Sequence, residues 1–330
     1  MNKIIPLIVI AAALVGTGIF YFQSIDTNDS QPLKIGISTW PGYSLAFLAQ
    51  EKGLFEDNGV SVELVHTTEY TDAQTLFLNN EVDGVFQVYT DSVYHSSTGV
   101  DSKVVYVVNY STDSDVVVGF GDVKSLKGKT IGIESLNGFS HMFVLKALEK
   151  NGLAENDVNF KIIPAQQTLD ALISGDIDAG HTWDPTKQLA LDNGYEVICT
   201  AGDLPGIITD VLSFNSDIVD ERPLEIQAVI QSMIDAKIYY DQNPSESIEI
   251  MANSLGVSPS DLSQGYSGLH LLSYDENIQS LTGNDETRSL RGTGEFIANY
   301  YLERGQLSQM PEFSEIIEPA VLQALKSGDN

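Results

Sequence analysis

From Leu33 onward the chain alternates short apolar runs with stretches that are apolar on one face only, so the hydrophobic period switches repeatedly between two and about 3.6 residues. The runs Leu33 to Ser38, Val60 to His66 and Val82 to Val88 predict strands, separated by helices over Leu45 to Lys52 and Thr71 to Asn79. Gly53 supplies a left-handed exit for the first of these helices. Val104 to Asn109 and Val116 to Phe120 are further β-rich runs, and a second unit with the same order starts at Gly121. There a strand over Thr130 to Glu134 leads through a Ser/Asn/Gly loop into a helix from Ser140 to Asn151, with Gly152 as its stop. Val158 to Ile163, Thr168 to Ser174 and Asp178 to His181 then read as strand, helix and strand. The turn Asn79-Asn-Glu-Val-Asp-Gly84 is echoed by Ile173-Ser-Gly-Asp-Ile-Asp-Ala-Gly180, which predicts duplication at the level of architecture. Past Asp210 the pattern becomes helical, with starts at Arg222-Pro, at Asn243-Pro-Ser-Glu (a capping pattern), at Ser258-Pro and near Asn284.

Alternating strands and helices predict an α/β fold of mostly parallel sheets with helices on both faces. Two units of this kind imply two lobes with a ligand cleft between them. The late helical block returns to the first lobe, so the chain crosses twice, near Thr112 to Val118 and near Thr209 to Phe214. Residues 33–115 and 212–330 are thus assigned to lobe 1 and residues 116–211 to lobe 2. The loops Thr39 to Tyr43 and Ser135 to Phe139 each join a strand's carboxyl end to a helix's amino end, where free backbone N–H groups and a positive dipole end face a small ligand.

The first residues carry a different pattern. Ile4 to Phe22 holds 19 residues without a charge, roughly 28 Å as a helix, close to a bilayer's hydrocarbon thickness. Lys3 precedes it and Asp26 and Asp29 follow, so residues 1–23 are expected to form a membrane anchor with the body outside the cell. Cleavage as a signal peptide is the alternative, but Phe20-Tyr-Phe-Gln23 lacks the small residues of a cut site. No cysteine follows for lipid attachment, and residues 24–32 read as a polar tether.

The balance of 17 basic against 46 acidic residues, a net charge of −29, excludes a phosphate-binding face and so argues against nucleic acid. It suits a soluble monomer. The single cysteine, Cys199, rules out an intramolecular disulfide and sits in a strand pattern as a small buried hydrophobe. No metal-ligand spacing, phosphate loop or nucleophile–base pairing occurs, so neither cofactor nor catalysis is expected.

The order Ser38-Thr-Trp-Pro-Gly-Tyr43, Ala49-Gln-Glu-Lys-Gly-Leu-Phe55 and Val60-Ser-Val-Glu-Leu64 resembles the extracellular substrate-binding proteins of ABC importers. Within these it is similar to the nitrate/sulfonate/taurine and thiamine-pyrimidine-precursor group. Ser125-Leu-Lys-Gly-Lys-Thr-Ile-Gly-Ile133, Lys146 to Leu153, Leu172 to Ala179 and Trp183-Asp-Pro185 follow in the order that group shows. The resemblance covers Leu33 to Ala201. It implies a type II periplasmic-binding-protein fold, a cleft that closes on its ligand, and partners in an ABC permease and its ATPase. It also admits a tethered sensor. Some relatives in the pyrimidine-precursor group are enzymes with a cysteine-rich motif, which one cysteine cannot supply.

Ligand contacts are expected at the strand ends and loop mouths. In the first lobe these are Ser38, Trp40, Pro41 and Tyr43, then Tyr89, Thr90 and Asp91, with Asp91 alternatively capping the next helix. In the second they are Asn137, Gly138, Phe139, Ser140 (also a natural N-cap), His141, Trp183 and Asp184, with Asp210 at the second crossing. Trp40 and Tyr43 could equally be core aromatics, His141 a surface histidine, and Asp184 a residue held extended by Pro185. No arginine occurs before Arg222, which removes the guanidinium fork a nitrate or sulfonate would often use. Aromatics beside Asp91, Asp184 and Asp210 favour an aminopyrimidine, amine or zwitterion over sulfonate or nitrate.

Overall fold

The computed structural model describes residues 31–285 and 288–326, so the expected membrane segment lies outside the described residues. Among the described residues no helix is long and apolar enough to cross a membrane. The strands in chain order are β1 (Leu33–Ile37), β2 (Val62–His66), β3 (Gly84–Val88), β4 (Ser102–Ser111), β5 (Val116–Gly119), β6 (Thr130–Ile133), β7 (Asn159–Ile162), β8 (Ala179–Thr182), β9 (Glu196–Thr200), β10 (Thr209–Asn215) and β11 (Leu269–Leu271). They form two sheets, ordered β11-β4-β10-β3-β1-β2 and β7-β6-β8-β5-β9.

The duplication in the sequence is visible in this order, because β2-β1-β3-β10-β4 and β7-β6-β8-β5-β9 place corresponding strands alike. The sheets are more mixed than the expected parallel pattern. Only β1 with β2 and β3, and β6 with β7 and β8, run parallel. β10 lies antiparallel to β3 and β4, β11 to β4, and β5 to β8 and β9. The cause is how β5 and β10 are reached. Each comes directly from the other sheet, without a crossover helix, and starts opposite a neighbour's carboxyl end: Val116 beside Thr182, Asp210 beside Val88.

The chain passes to the second sheet between Ser111 and Val116 and returns between Thr200 and Thr209. The return therefore precedes the stretch Thr209 to Phe214, which is a central strand of the first sheet with every side chain buried. Central position between β3 and β4 explains that continuous burial.

Several helix starts differ by a turn or less from the pattern. The helix expected from Ser140 runs Phe139–Lys150 with Gly138 as N-cap, so Ser140 is not the cap; its Oγ accepts the Glu134 N–H at 3.1 Å. A helix Tyr89–Ser97 follows β3 at once with Val88 at its N-cap, so Asp91 lies in the first turn. Pro244–Leu255 begins at Asn243-Pro, but Asn243 donates to the Tyr239 carbonyl at 3.2 Å and makes no capping box. Ser289, rather than Asn284, caps the helix Leu290–Glu303 by accepting from Gly292 N–H. Gly53 has φ +71° after the helix Leu45–Glu51, the left-handed exit that a side chain would strain.

Candidate functional site

The carboxyl ends of β3 and β8 and both inter-sheet crossings converge on one small cavity, lined by Trp40, Tyr43, Tyr70, Val88, Asp115, Phe139, Trp183, Ile208 and Asp210. It leaves 10 Å³ for the centre of a water-sized molecule, about enough for a single water. The two halves are thus closed on one another, and their aromatic rings meet across the gap. Trp40 and Trp183 stand edge to face with centroids 5.4 Å apart and planes at 89°. Tyr70 and Phe139 do the same at 5.1 Å and 73°.

The position of each ring follows from the local chain. Trp40 precedes the short 3₁₀ turn Pro41–Tyr43, whose proline fixes the turn, and Phe139 opens the helix Phe139–Lys150. Trp183 directly follows β8.

Carboxyl groups supply the polar part of the site. Asp210, at the start of β10, accepts the Tyr43 hydroxyl at 2.6 Å through Oδ1. Its Oδ2 has no hydrogen-bond partner, although the Trp40 indole N–H leans on this carboxyl without reaching hydrogen-bond geometry. Burial, reinforced by nearby Asp115, pushes the Asp210 carboxyl well above the usual range. Asp115 faces His181 Nε2 at 3.0 Å through Oδ1 and leaves Oδ2 without a partner. Glu134, just past β6, is also pushed well up, by burial first and by Asp115 second. Asp91 accepts the Tyr70 hydroxyl at 2.7 Å and Gln74 Nε2 at 2.9 Å, and the backbone N–H of Phe139 from the other half lies toward it without reaching hydrogen-bond geometry. Burial again raises its pKa. No lysine or arginine lines the cavity.

Five of the expected site residues, Trp40, Tyr43, Phe139, Trp183 and Asp210, meet on the cavity. The others take neighbouring positions. Ser38 is buried with its hydroxyl unpartnered. Pro41 packs on Gly265, where an added Cβ would lie 2.9 Å from the ring. Tyr89 is wholly buried against Gly294, and the Thr90 hydroxyl donates to the Ile207 carbonyl at 3.5 Å. Asp184 binds the Lys187 ammonium at 2.7 Å. Asn137, with φ +66°, accepts Tyr301 Oη through its carbonyl and Gln306 Nε2 through its side chain, both at 2.5 Å. Gly138 is the N-cap beside it. His141 Nδ1 accepts the Asn137 N–H at 3.0 Å and the ring packs on Phe160, so burial pulls its pKa down to about 4.

Tyr70, Asp115, Glu134 and His181 were not among the expected residues. Asp115 falls inside the predicted first crossing, and Glu134 and His181 end predicted strands, so position alone could have flagged these three. Tyr70 sits in the first turn of an ordinary amphipathic helix and carries no such signal.

Further contacts join the halves around the rim. Arg304, after the helix Leu290–Glu303, forms a two-pronged ion pair with Glu155, one N–H···O distance being 3.0 Å. Gln166 Nε2 donates to Thr39 Oγ1 at 3.2 Å and to the Thr68 carbonyl at 3.3 Å.

The family model of the NMT1-like family matches residues 26–256. A protein of Brucella abortus (strain 2308), which carries only the provisional name of a binding protein, is 26% identical over 251 residues, 73% of this chain and 77% of that one. Among solved structures, the ligand-binding component of an ABC-type import system from Staphylococcus aureus, with zinc bound, superposes with a TM-score of 0.74 at 14% identity, covering 89% of this chain and 98% of that one. The nitrate-binding protein NrtA from Synechocystis PCC 6803 gives 0.73 at 13% identity over 91% and 89%. The alkanesulfonate-binding protein SsuA from Xanthomonas axonopodis pv. citri, bound to MOPS, gives 0.71 at 16% identity over 88% and 100%. At these identities the likeness to solved structures establishes the periplasmic-binding-protein fold.

Proposed function

This chain belongs to the NMT1-like family, and on that premise we propose that it is an extracytoplasmic solute-binding protein, not an enzyme. It captures one small molecule by hinge closure and delivers it to an ABC permease. Residues 1–23 anchor it to the outer face of the membrane, and it works as a monomer. Residues 33–115 and 212–330 make one lobe and residues 116–211 the other. The observation that carries the reading is the cavity itself, walled by Trp40, Tyr43 and Tyr70 on one side and Phe139 and Trp183 on the other. Only two chain crossings link those walls at the site, which is the arrangement for opening and closing about a hinge. Ligand touching both walls stabilises the closed form, and the permease reads that form. The names carried by the Brucella relative and by the import-system neighbours agree with this role.

Aromatic walls, buried carboxyls and a lining free of lysine and arginine support an aminopyrimidine, amine or zwitterion over a sulfonate or nitrate. A thermal-shift screen with pyrimidines, amines, zwitterions, alkylsulfonates and nitrate tests the proposal, because a ligand specific to the folded state raises the melting temperature by mass action. One class giving a saturable rise is the expected result. If none of these classes stabilises the protein at millimolar concentration, the solute-binding reading fails.

A further inference from the structure

Asp115 and Asp210 lie on the same cavity although the first belongs to one crossing and the second to the strand after the other. Each is only 1% exposed, and each keeps one carboxyl oxygen without a partner. The Trp40 indole N–H, on the same wall, leans on the Asp210 carboxyl without reaching hydrogen-bond geometry. The nearby ammonium of Lys187 is already engaged by Asp184 at 2.7 Å and the Asp113 carbonyl at 3.1 Å. Buried carboxyls normally have a counter-charge or a full set of donors, whereas Asp115 meets only His181 Nε2 at 3.0 Å and Asp210 only the Tyr43 hydroxyl at 2.6 Å, each through its other oxygen. Here Trp40, Tyr43, Phe139 and Trp183 line the remaining wall, and aromatic rings of this kind attract cations.

We propose that the solute of this site is a small organic cation, and that Asp115 and Asp210 are the residues that select its charge. The proposal rests on the solute-binding reading above and adds the sign of the charge. A bare metal ion is disfavoured by the donors: no group of three or more His, Cys, Asp or Glu among the described residues is arranged to hold one. An anion would meet two acids and no lysine or arginine. A neutral molecule would complete Asp115 Oδ2 and Asp210 Oδ2 only by donating a hydrogen bond to each.

The titratable groups around the pair fix how pH enters. Tyr43 and Tyr70 come from the first half, with Asp91 and His95 on the helix Tyr89–Ser97 behind them. His181 on β8 and Glu134 after β6 come from the second half. With no cation bound, burial favours the protonated acids at Asp210 and Glu134. A cationic ligand takes the place of those protons, so binding releases protons and tightens as pH rises.

The test uses the full chain in detergent and three ligands of one shape: 4-aminopyridine, which stays protonated across neutral pH, neutral 4-pyridone and anionic isonicotinate. Thermal shift reads which of them stabilises the protein at equal millimolar concentration. Calorimetry in two buffers of different ionisation enthalpy reads the protons released. The expected result is stabilisation by 4-aminopyridine alone, with affinity rising by up to about tenfold per pH unit for each proton released. Asp210→Asn, which can still accept the Tyr43 hydroxyl, should weaken that binding roughly tenfold or more. Asp115→Asn should do the same wherever it folds. Equal or better stabilisation by 4-pyridone or isonicotinate, or by zinc alone, overturns the charge assignment and leaves the solute-binding reading standing. If none of the three pyridine ligands acts, the assignment also falls, and the wider screen decides the solute-binding reading by itself.

Discussion

Replacing Asp210 by asparagine in the ligand-free protein should change how stability depends on pH, in a direction the structure fixes. The substitution keeps shape and keeps an acceptor for the Tyr43 hydroxyl, 2.6 Å away in the native protein, so it removes a titration rather than a contact. In the folded state burial and Asp115 hold the Asp210 pKa well above its unfolded value. Between those two values the native protein keeps a proton that the unfolded chain has lost. Stability contributed by this group is therefore complete below the unfolded pKa and is lost as pH rises through the folded one. Within that window one retained proton gives a slope of about −1.4 kcal/mol per pH unit. At about 2 °C per kcal/mol for a chain of this length, the melting temperature should fall by roughly 3 °C per pH unit from this source. Glu134 adds a slope of the same sign. His141, lowered to about 4 by burial, adds one of opposite sign between that value and the ordinary histidine range. The wild-type curve is thus a sum, but its difference from Asp210→Asn isolates one carboxyl. Urea melts of both proteins at a series of pH values from the ordinary carboxylate range upward make the measurement, the variant losing less stability by up to about 1.4 kcal/mol per pH unit inside the window. Parallel curves would refute the reasoning, because they would mean that Asp210 is ionised in the folded protein throughout.

Gly294→Ala should destabilise by about 1–3 kcal/mol in urea titration, although alanine favours a helix, because its Cβ would lie 2.5 Å from Phe313 and 2.8 Å from the Tyr89 hydroxyl. Arg304→Ala removes the rim ion pair to Glu155; both groups are partly exposed, so the closed form should lose about 1 kcal/mol or less. Ligand affinity measured by calorimetry should then fall by up to about fivefold, and high salt should reproduce part of that loss in the wild type. The Cys199 thiol, pushed up to about 12 by burial, should react slowly with a disulfide reagent in the folded protein and at once in urea. Fast labelling without denaturant would show that β9 opens locally.

The strand-loop-helix units around the site were legible because their signals are local. Alternation at Leu33 to Ser38 and the buried run at Thr130 to Glu134 need no knowledge of the rest of the chain, and they place Trp40 and Phe139 at loop mouths. β10 was harder to place. Its run from Thr209 looked like a connection because the sheet that buries it is made by residues more than 90 positions earlier. Ser140 shows a different limit. Serine is a preferred N-cap, but Gly138 takes the cap and the Ser140 hydroxyl turns back to Glu134. The pairs that define the cavity were beyond local reading altogether. Tyr43 and Asp210 are 167 residues apart, and His181 and Asp115 are 66 apart. Only the return of the chain through both crossings brings them together.

The kind of polar group gathered at this cavity, acids beside aromatic rings, supports a site over a merely imperfect core. Some buried polar side chains of the interior find a full complement. Asn277 accepts the Val107 N–H at 2.8 Å and donates to the Val107 carbonyl at 2.7 Å, so it satisfies both groups of one residue of β4. Others do not, among them Gln87, Ser92, Ser213 and Ser247, and around the cleft Trp40 Nε1, Asp115 Oδ2, Glu134 Oε2, His181 Nδ1 and Asp210 Oδ2. An unmade hydrogen bond on a buried group costs about 1–3 kcal/mol and more for an acid, and three of these five cleft atoms are carboxyl oxygens. Folding stability alone would favour leucine or phenylalanine at Asp115 and Asp210, as packing does at the flanking Val88 and Ile208. Carboxyls kept there at a cost to the empty protein are explained by something that binds between the halves and completes them.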